Sequence, residues 1–450
     1  MASFNSVVRN QLVRWGPKML GYRFTYRLAR WLLALSRALE PRGSSRAAGW
    51  LTAQAMLDLA LDQAEAAYAQ GKAIWTTAFF PTELVYAFDF MPLPIEVVAA
   101  VIASMGLAPQ MLNQADREWY SHDLCSFHRC AYGCARLGYL PRPRAMLSSS
   151  AICDGGPKLF RNLEHLEQEG MAASTSAPAH FLLDVPVLTG TDDLTSAVAY
   201  VADQLKEASA FLEELAGHRL SLEKLKQSLW LSNQARQWAV SANQLRQRYP
   251  GAISGQVTLN LLAVVFGGFG SDRARKVYQT LYQEIASSSP RPTRESELSR
   301  LLWLHVPPYY PHDIITSLEK ELGAVIAFEE LNDVYWPPLD LERPWESLAH
   351  KVLAHPSYGP PVRRLEHILR LAEDYHVDGV IQYSNWGCHQ AGGSALMIQQ
   401  ALREQGLPML VIDGDCVDPR DQSPEQVRTR LESFMEVLKG RQQSEVSSRH

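Results

Sequence analysis

The 450-residue chain lacks any run of the roughly 20 consecutive apolar residues that a membrane-spanning helix needs. Of the two nearest stretches, 97–108 stops at Pro109, and 257–269 contains Asn260 and the Gly267-Gly268 pair. Both suit buried elements better. Cysteine is scarce, with six residues. That is too few for a disulfide scaffold, and there is no tight Cys-x-x-Cys pair of the kind that marks structural zinc. An excess of positive charge is also missing. The formal net charge is -5, which argues against a general nucleic-acid binder. The chain opens without the compact basic, apolar and small-residue order of a secretory leader, so the expected location is cytoplasmic. What is present, 46% hydrophobic and 20% charged residues, is a globular composition. The length predicts two α/β units with helical elaboration.

Positive charge gathers at the start. Residues 1–50 carry nine Arg or Lys against one acid, Glu40, which makes this arm about +8 and the remainder about -13. Tyr22, Phe24, Tyr26, Leu28, Trp31, Leu32 and Leu35 interleave with those charges, as in an amphipathic helix. The arm suits packing on the acidic body or a neighbouring subunit, or docking to a partner or an anionic membrane surface. A transit peptide shares its composition.

From about residue 75 the pattern is mixed α/β. A strand is expected over 145–152, ending at Cys153, and another over 180–187. Residues 192–250 read as long amphipathic helices that open on Asp192 and Asp193 and close at Pro250-Gly251. The stretch 287–293 is the expected linker. Beyond it, short apolar runs at 301–306, 324–328, 379–383 and 409–413 alternate with helical patterns from Asp313, over 361–376 and over 394–405. That alternation predicts a parallel sheet covered by helices on both faces. The expected organisation is a basic helical arm (1–74), a first α/β domain (75–190), a helical connector (191–295), a second α/β domain (296–440) and a disordered tail (441–450). Both α/β units are expected to be Rossmann- or flavodoxin-like.

The cysteines sit where such folds collect ligands, beyond the carboxyl ends of parallel strands. Cys153 follows one expected strand and Cys388 another, and each is followed by a glycine pair, Gly155-Gly156 and Gly392-Gly393. Those glycines allow close backbone approach and supply amides. Soft thiolates select iron–sulfur or zinc centres, and spacing alone leaves such a centre and inert buried thiols equally open.

The segments Asp123-Leu124-Cys125-Ser126, Gly138-Tyr139-Leu140-Pro141-Arg142-Pro143 and Cys153-Asp154-Gly155-Gly156-Pro157-Lys158 resemble the amino-terminal half of the 2-hydroxyacyl-CoA dehydratase D-component family, which includes benzoyl-CoA reductase subunits. The resemblance continues through Val377-Asp378-Gly379-Val380-Ile381 before Cys388, Gly406-Leu407-Pro408-Met409-Leu410 before Asp415, then Gln426, Thr429, Arg430 and Phe434. Pro81, Glu83, Leu84, Ala87 and Pro92 match more faintly. It covers roughly residues 75–440 and leaves out the basic arm. The resemblance implies that Cys125, Cys153 and Cys388 hold a [4Fe–4S] cluster with one open iron. It also implies a sister subunit of related fold, an ATP-dependent iron–sulfur activator and an acyl-CoA substrate. In the dehydratases, one electron delivered to the thioester carbonyl gives a ketyl radical from which the 2-hydroxyl leaves; in the benzoyl-CoA branch it enters the ring.

This chain departs from the family at Phe88-Asp89, where the family usually has Ala-Gly. Cys130 and Cys134 are additional, and read either as helix-packing thiols or as ligands near the cluster. With Cys416 they would complete six ligands for an [8Fe–9S] double cubane in a reductase of small molecules, the alternative function. A non-catalytic companion subunit is the other. His122, His128 and His389 flank the ligand cysteines and suit proton transfer or hydrogen bonding. His389 is one candidate catalytic residue. Glu330 is another: with Glu329 it ends a strand at the expected cleft rim, where a carboxylate can act as a base. Trp386 suits either the wall of the site or core packing.

Overall fold

The computed structural model describes residues 49–118, 120–168, 178–190, 192–287 and 298–448. The basic arm up to residue 48 and nearly all of the expected linker lie outside these. The first sheet comprises β1 (Ala73–Thr76), β2 (Met91–Pro94), β3 (Ala145–Ser149) and β4 (His180–Leu183), all parallel in the order β2-β1-β3-β4. The second comprises β5 (Ser299–Leu304), β6 (Ala324–Glu329), β7 (Gly379–Asn385) and β8 (Met409–Gly414), parallel in the matching order β6-β5-β7-β8. The two α/β units thus repeat one topology. In each, the chain first winds one way and then the other, which leaves a switch point between the first and third strands, β1/β3 and β5/β7.

Strands covered on both faces are buried, and the interior strands β1, β3 and β7 are buried along their whole length, as is β6 at the edge of the second sheet. β1 and β2 have no counterpart among the expected strands. β2 reads Met-Pro-Leu-Pro, and prolines normally argue against a strand. Here β2 pairs with β1 alone, so an edge position absorbs the missing donors. β1 starts at Ala73, just inside the span expected as arm.

In the first unit α1 (Trp50–Ala64) precedes β1, and α2 (Thr82–Ala87), α3 (Ile95–Ser104), α4 (Ala108–Arg117), α5 (Ser126–Arg136) and α6 (Gly155–Gln168) follow. The connector is helical as expected: α7 (Leu194–Ala216), α8 (Leu222–Arg248), α9 (Gly255–Asn260), α10 (Leu262–Gly267) and α11 (Asp272–Ser287). The Asp193 carboxylate caps α7 by accepting from the amides of Thr195 and Ser196. The connector is locked to the second unit, because Arg246 of α8 forks onto Glu329 at 2.9 and 2.8 Å, and Glu329 also accepts from Thr258 and Asn332. The second unit adds α12 (Ile314–Lys320), α13 (Pro344–Leu353), α14 (Pro361–Asp374), α15 (His389–Gly393), α16 (Ala395–Glu404) and α17 (Pro424–Ser448). α17 covers all but two residues of the expected disordered tail. After Gly440 that stretch has neither glycine nor proline to stop a helix already nucleated.

One apolar cluster joins Trp75 and Met146 of the first sheet to Leu301, Trp303, Ile381 and Tyr383 of the second, so the two units share a core. α4 and α5 belong to it and cross closely. A Cβ added at Gly133 would run into the Met111 carbonyl. Cys130 and Cys134, fully buried on either side of Gly133, are small residues of this crossing. Gly133→Ala is therefore expected to destabilise the protein by about 1–3 kcal/mol, read as a lower urea midpoint with unchanged slope. At the departure Phe88-Asp89 the turn survives: Asp89 takes φ +59, a conformation Asp tolerates, and its carboxylate pairs with Lys224.

Candidate iron–sulfur centre

The carboxyl ends of both sheets open on one cavity of about 770 Å³. Segments from both switch points line it: Phe79 after β1, Ile152 to Gly155 after β3, His305 to His312 after β5, and Asn385 at the end of β7 with Gly387 to Gln390 after it. Cys125, Cys153 and Cys388 all lie on its wall, and His128 and His389 beside them. Glu330 does not line it, nor do His122, Trp386, Cys130, Cys134 or Cys416.

Each wall cysteine stands just before the first turn of a helix, where backbone N–H groups have no partner within the helix. Cys125 precedes α5, Cys153 lies two residues before α6, and Cys388 precedes α15. The Gly156 amide serves Cys153, and those of Gln390 and Ala391 serve Cys388. Strand β3 ends earlier than expected, and the intervening residues make a tight turn. The Cys153 amide returns to the Ala151 carbonyl at 2.8 Å, with Ile152 at φ +68. A β-branched residue in that region is strained, and such strain collects at functional sites.

Close packing brings the three loops together. Gly387 has φ +71, and a Cβ there would come within 2.6 Å of the Asp123 carbonyl and 2.7 Å of the Cys125 amide, so the loop after β7 lies on the loop before α5. A Cβ at Gly155 would strike the His128 ring. Gly392 and Gly393 face open space, so close approach does not explain that pair. Ser126 donates to the buried Asp415 carboxylate at 2.6 Å, tying Cys125 to the end of β8. Asn385 donates to the Cys125 sulfur at 3.5 Å and accepts the Cys416 amide at 2.8 Å.

The titrating groups are interlocked. Burial alone would deprotonate His128, but its hydrogen bonds to Cys125 and Cys153, the Cys153 charge and Glu96 at 3.3 Å outweigh that and raise its pKa well above the usual imidazole value. Burial raises the Cys153 thiol, while the hydrogen bond and charge of His128 lower it further than burial lifts it. Cys388 is pushed up to about 12 by burial and by the nearby Cys125 and Cys153 sulfurs. His305 takes φ +63 directly after β5 and brings Nε2 to 3.7 Å from the Cys388 sulfur. Burial holds its pKa down to about 4, so it is neutral near pH 7.

Glu330 is buried behind this wall. Arg364 of α14 forks onto it at 2.6 and 2.7 Å, and it accepts the His305 amide at 3.1 Å. His389 is exposed at the mouth, 3.6 Å from Asp154, so a contact between the residues following Cys153 and Cys388 bridges the two units. His122 is an exposed partner of Asp116, and Trp386 is 45% exposed. His305 and Asn385 escaped the sequence reading. His305 looked like an interior strand residue, and only its partner 83 positions away marks it.

The donor set fits a cluster. Three thiols with amides directed at two of them match thiolate ligands with N–H donors around sulfide. Burial, and then the charge of the neighbouring sulfurs, hold Cys388 protonated, and bound iron would offset both. Among the described residues no three His, Cys, Asp or Glu side chains converge tightly enough to chelate one ion, whereas a cluster takes each thiolate on a separate iron.

Known proteins are similar to this sequence over most of its length. The alpha subunit of (R)-phenyllactyl-CoA dehydratase from Clostridium sporogenes is 23% identical over 388 residues, covering 83% of this chain and 91% of that protein. The alpha subunit of lactoyl-CoA dehydratase from Anaerotignum propionicum is 24% identical over 404 residues, covering 83% and 93%. A benzoyl-CoA reductase subunit from Thauera aromatica is 24% identical over 383 residues, covering 79% and 86%. The profile described as 2-hydroxyglutaryl-CoA dehydratase, D-component, matches residues 77–438, and with two matching parallel sheets closing on one thiol-lined cavity, the chain belongs to that family of 2-hydroxyacyl-CoA dehydratase and benzoyl-CoA reductase subunits.

Proposed function

We propose that this chain is an iron–sulfur catalytic subunit of an ATP-activated (R)-2-hydroxyacyl-CoA dehydratase, or of the related benzoyl-CoA reductase type, with a [4Fe–4S] cluster on Cys125, Cys153 and Cys388. One observation carries the reading: three thiols from both α/β units converge on a single cavity, while Cys130, Cys134 and Cys416 stay buried in packed core. The relatives' names support a CoA thioester as substrate, and the alpha and beta subunits among them support a sister chain. The proposal includes an iron–sulfur activator that spends ATP to deliver the electron, and a cytoplasmic location, where six free thiols remain reduced.

Bound there, the cluster would supply a low-potential electron and an open iron as Lewis acid. The protein's own groups would do the rest. His128 holds a proton between two ligand sulfurs and Glu96, which offsets negative charge inside the wall. The Asn385 amide restrains Cys125, and Gly387 packs the two ligand loops together. Phe79, Phe127 and Tyr309 make the wall apolar and keep water from a reactive carbonyl. His389, at the mouth, is placed to pass protons to solvent. Glu330 acts at one remove, by holding the His305 amide.

Iron and acid-labile sulfide on anaerobically purified protein test this. About four of each per chain is the expected result. About eight irons would favour the double-cubane reductase, and none a companion subunit without a cluster. No described helix is long and apolar enough to cross a membrane.

A further inference from the structure

The charges around the cavity bear on the acyl group, an inference that rests on the reading just given. Among the described residues that line it, Lys158 is the only lysine or arginine. Its ammonium lies 2.6 Å from the Asp154 carboxylate, and both side chains are more than half exposed. The histidines provide no substitute. Burial holds His355 at about 3, which leaves it neutral, and pulls His312 down as well, while His305 faces the Cys388 sulfur at 3.7 Å. His128 is committed to two thiols and Glu96, and His389 faces Asp154. A carboxyl group is already on the wall: Glu96 lines the cavity with one oxygen buried and unpartnered. The remaining surface is mostly apolar. Phe79 packs edge-on against Phe266 at 5.7 Å and Phe127 against Tyr309 at 5.9 Å, with Val97 and Leu262 beside them.

We infer that this cavity takes 2-hydroxyacyl-CoA thioesters whose acyl side chain is uncharged and apolar, aryl or branched alkyl, and excludes those of dicarboxylic acids. A second carboxylate would lose its hydration beside Glu96 without gaining a counter-charge, whereas an apolar side chain gains from leaving water.

The test is competitive binding to the full-length chain after its iron has been measured. The probes are the CoA thioesters of 2-hydroxy-3-phenylpropanoate, 2-hydroxy-4-methylpentanoate and 2-hydroxyglutarate. The first two are expected to bind at least tenfold more tightly than the third, a ratio that Lys158→Ala leaves within twofold. A smaller preference overturns the inference alone, as does a Lys158→Ala variant that selectively loses the glutaryl thioester, since Lys158 would then be its counter-ion. Protein with its iron that binds none of the three overturns the inference together with the reading of the chain as the substrate-binding subunit. Protein without iron that still ranks the thioesters as expected sinks the cluster reading and keeps the inference.

Discussion

Arg364→Ala is expected to destabilise the protein by about 3–5 kcal/mol, the range for removing one partner of a buried ion pair. Arg364 and Glu330 are each about 3% exposed. The guanidinium meets both carboxylate oxygens and also donates to Ser394 at 3.1 Å, so it ties α14, the end of β6 and the start of α16 together. Alanine would leave the Glu330 carboxylate buried without its guanidinium, with the His305 amide still donating to it. The effect should reach the cavity, because Glu330 holds the His305 amide, and His305 faces the Cys388 sulfur. Adding Glu330→Gln to Arg364→Ala should recover part of the loss, since a neutral amide has no charge to desolvate. Urea unfolding of the three proteins at pH 7 reads this directly, and an Arg364→Ala midpoint equal to wild type would sink it.

The same pair sets an acid limit. Burial alone would raise the Glu330 pKa, but the charge and hydrogen bonds of Arg364, helped by His367 and His305, outweigh burial and hold it at about 2. An unfolded glutamate titrates near about 4.3. The folded value is the lower one, so the contribution is complete above about pH 4.3 and is lost as pH falls toward 2. At roughly 1.4 kcal/mol per unit it amounts to about 3 kcal/mol. In Arg364→Ala this slope should vanish or reverse, because a buried unpaired carboxyl is more stable protonated. Unfolding free energies of both proteins between pH 3 and 6 test the sign.

How much of this is legible in the sequence depends on whether a feature is local. The second sheet is, because β5 to β8 are apolar runs separated by helical periods, and observed ends differ from expected ones by one or two residues. β2 is not, because Met-Pro-Leu-Pro becomes a strand only through β1 beside it. The three wall cysteines follow from strand ends and family pattern together; without the pattern, Cys130 and Cys134 look as good as Cys125. What separates them is α4, whose close crossing claims the two extra thiols as core. Glu330 shows the limit of the strand-end rule. The rule places a carboxylate near the site, but Arg364, 34 positions on, decides that it faces away from the substrate cavity. Asn385 is a lone amide without a pattern, and its meaning lies in a sulfur 260 positions away.

Cys153→Ala is expected to remove at least three quarters of the iron and nearly all dehydration activity, whereas Cys134→Ala should keep both. Cys153 is held by the strained turn at Ile152, by the Gly156 amide and by His128, all converging on one sulfur. No other described cysteine can take its place, because Cys130 and Cys134 are fixed in the α4–α5 crossing and the Cys416 thiol points to the Val306 carbonyl. Cys134→Ala removes one buried sulfur from a tight crossing, so its expected signature is a loss of about 1–2 kcal/mol in unfolding with iron unchanged. Cys125→Ala and Cys388→Ala should follow Cys153→Ala, since each loop supplies one thiol and none holds a spare. Iron per chain, the visible spectrum and the urea midpoint, measured anaerobically on each variant, separate the two groups. Iron lost from Cys134→Ala with the fold intact would move the cluster toward α5 and favour more than three ligands. Iron retained in Cys153→Ala would leave the strained turn without a metal to explain it.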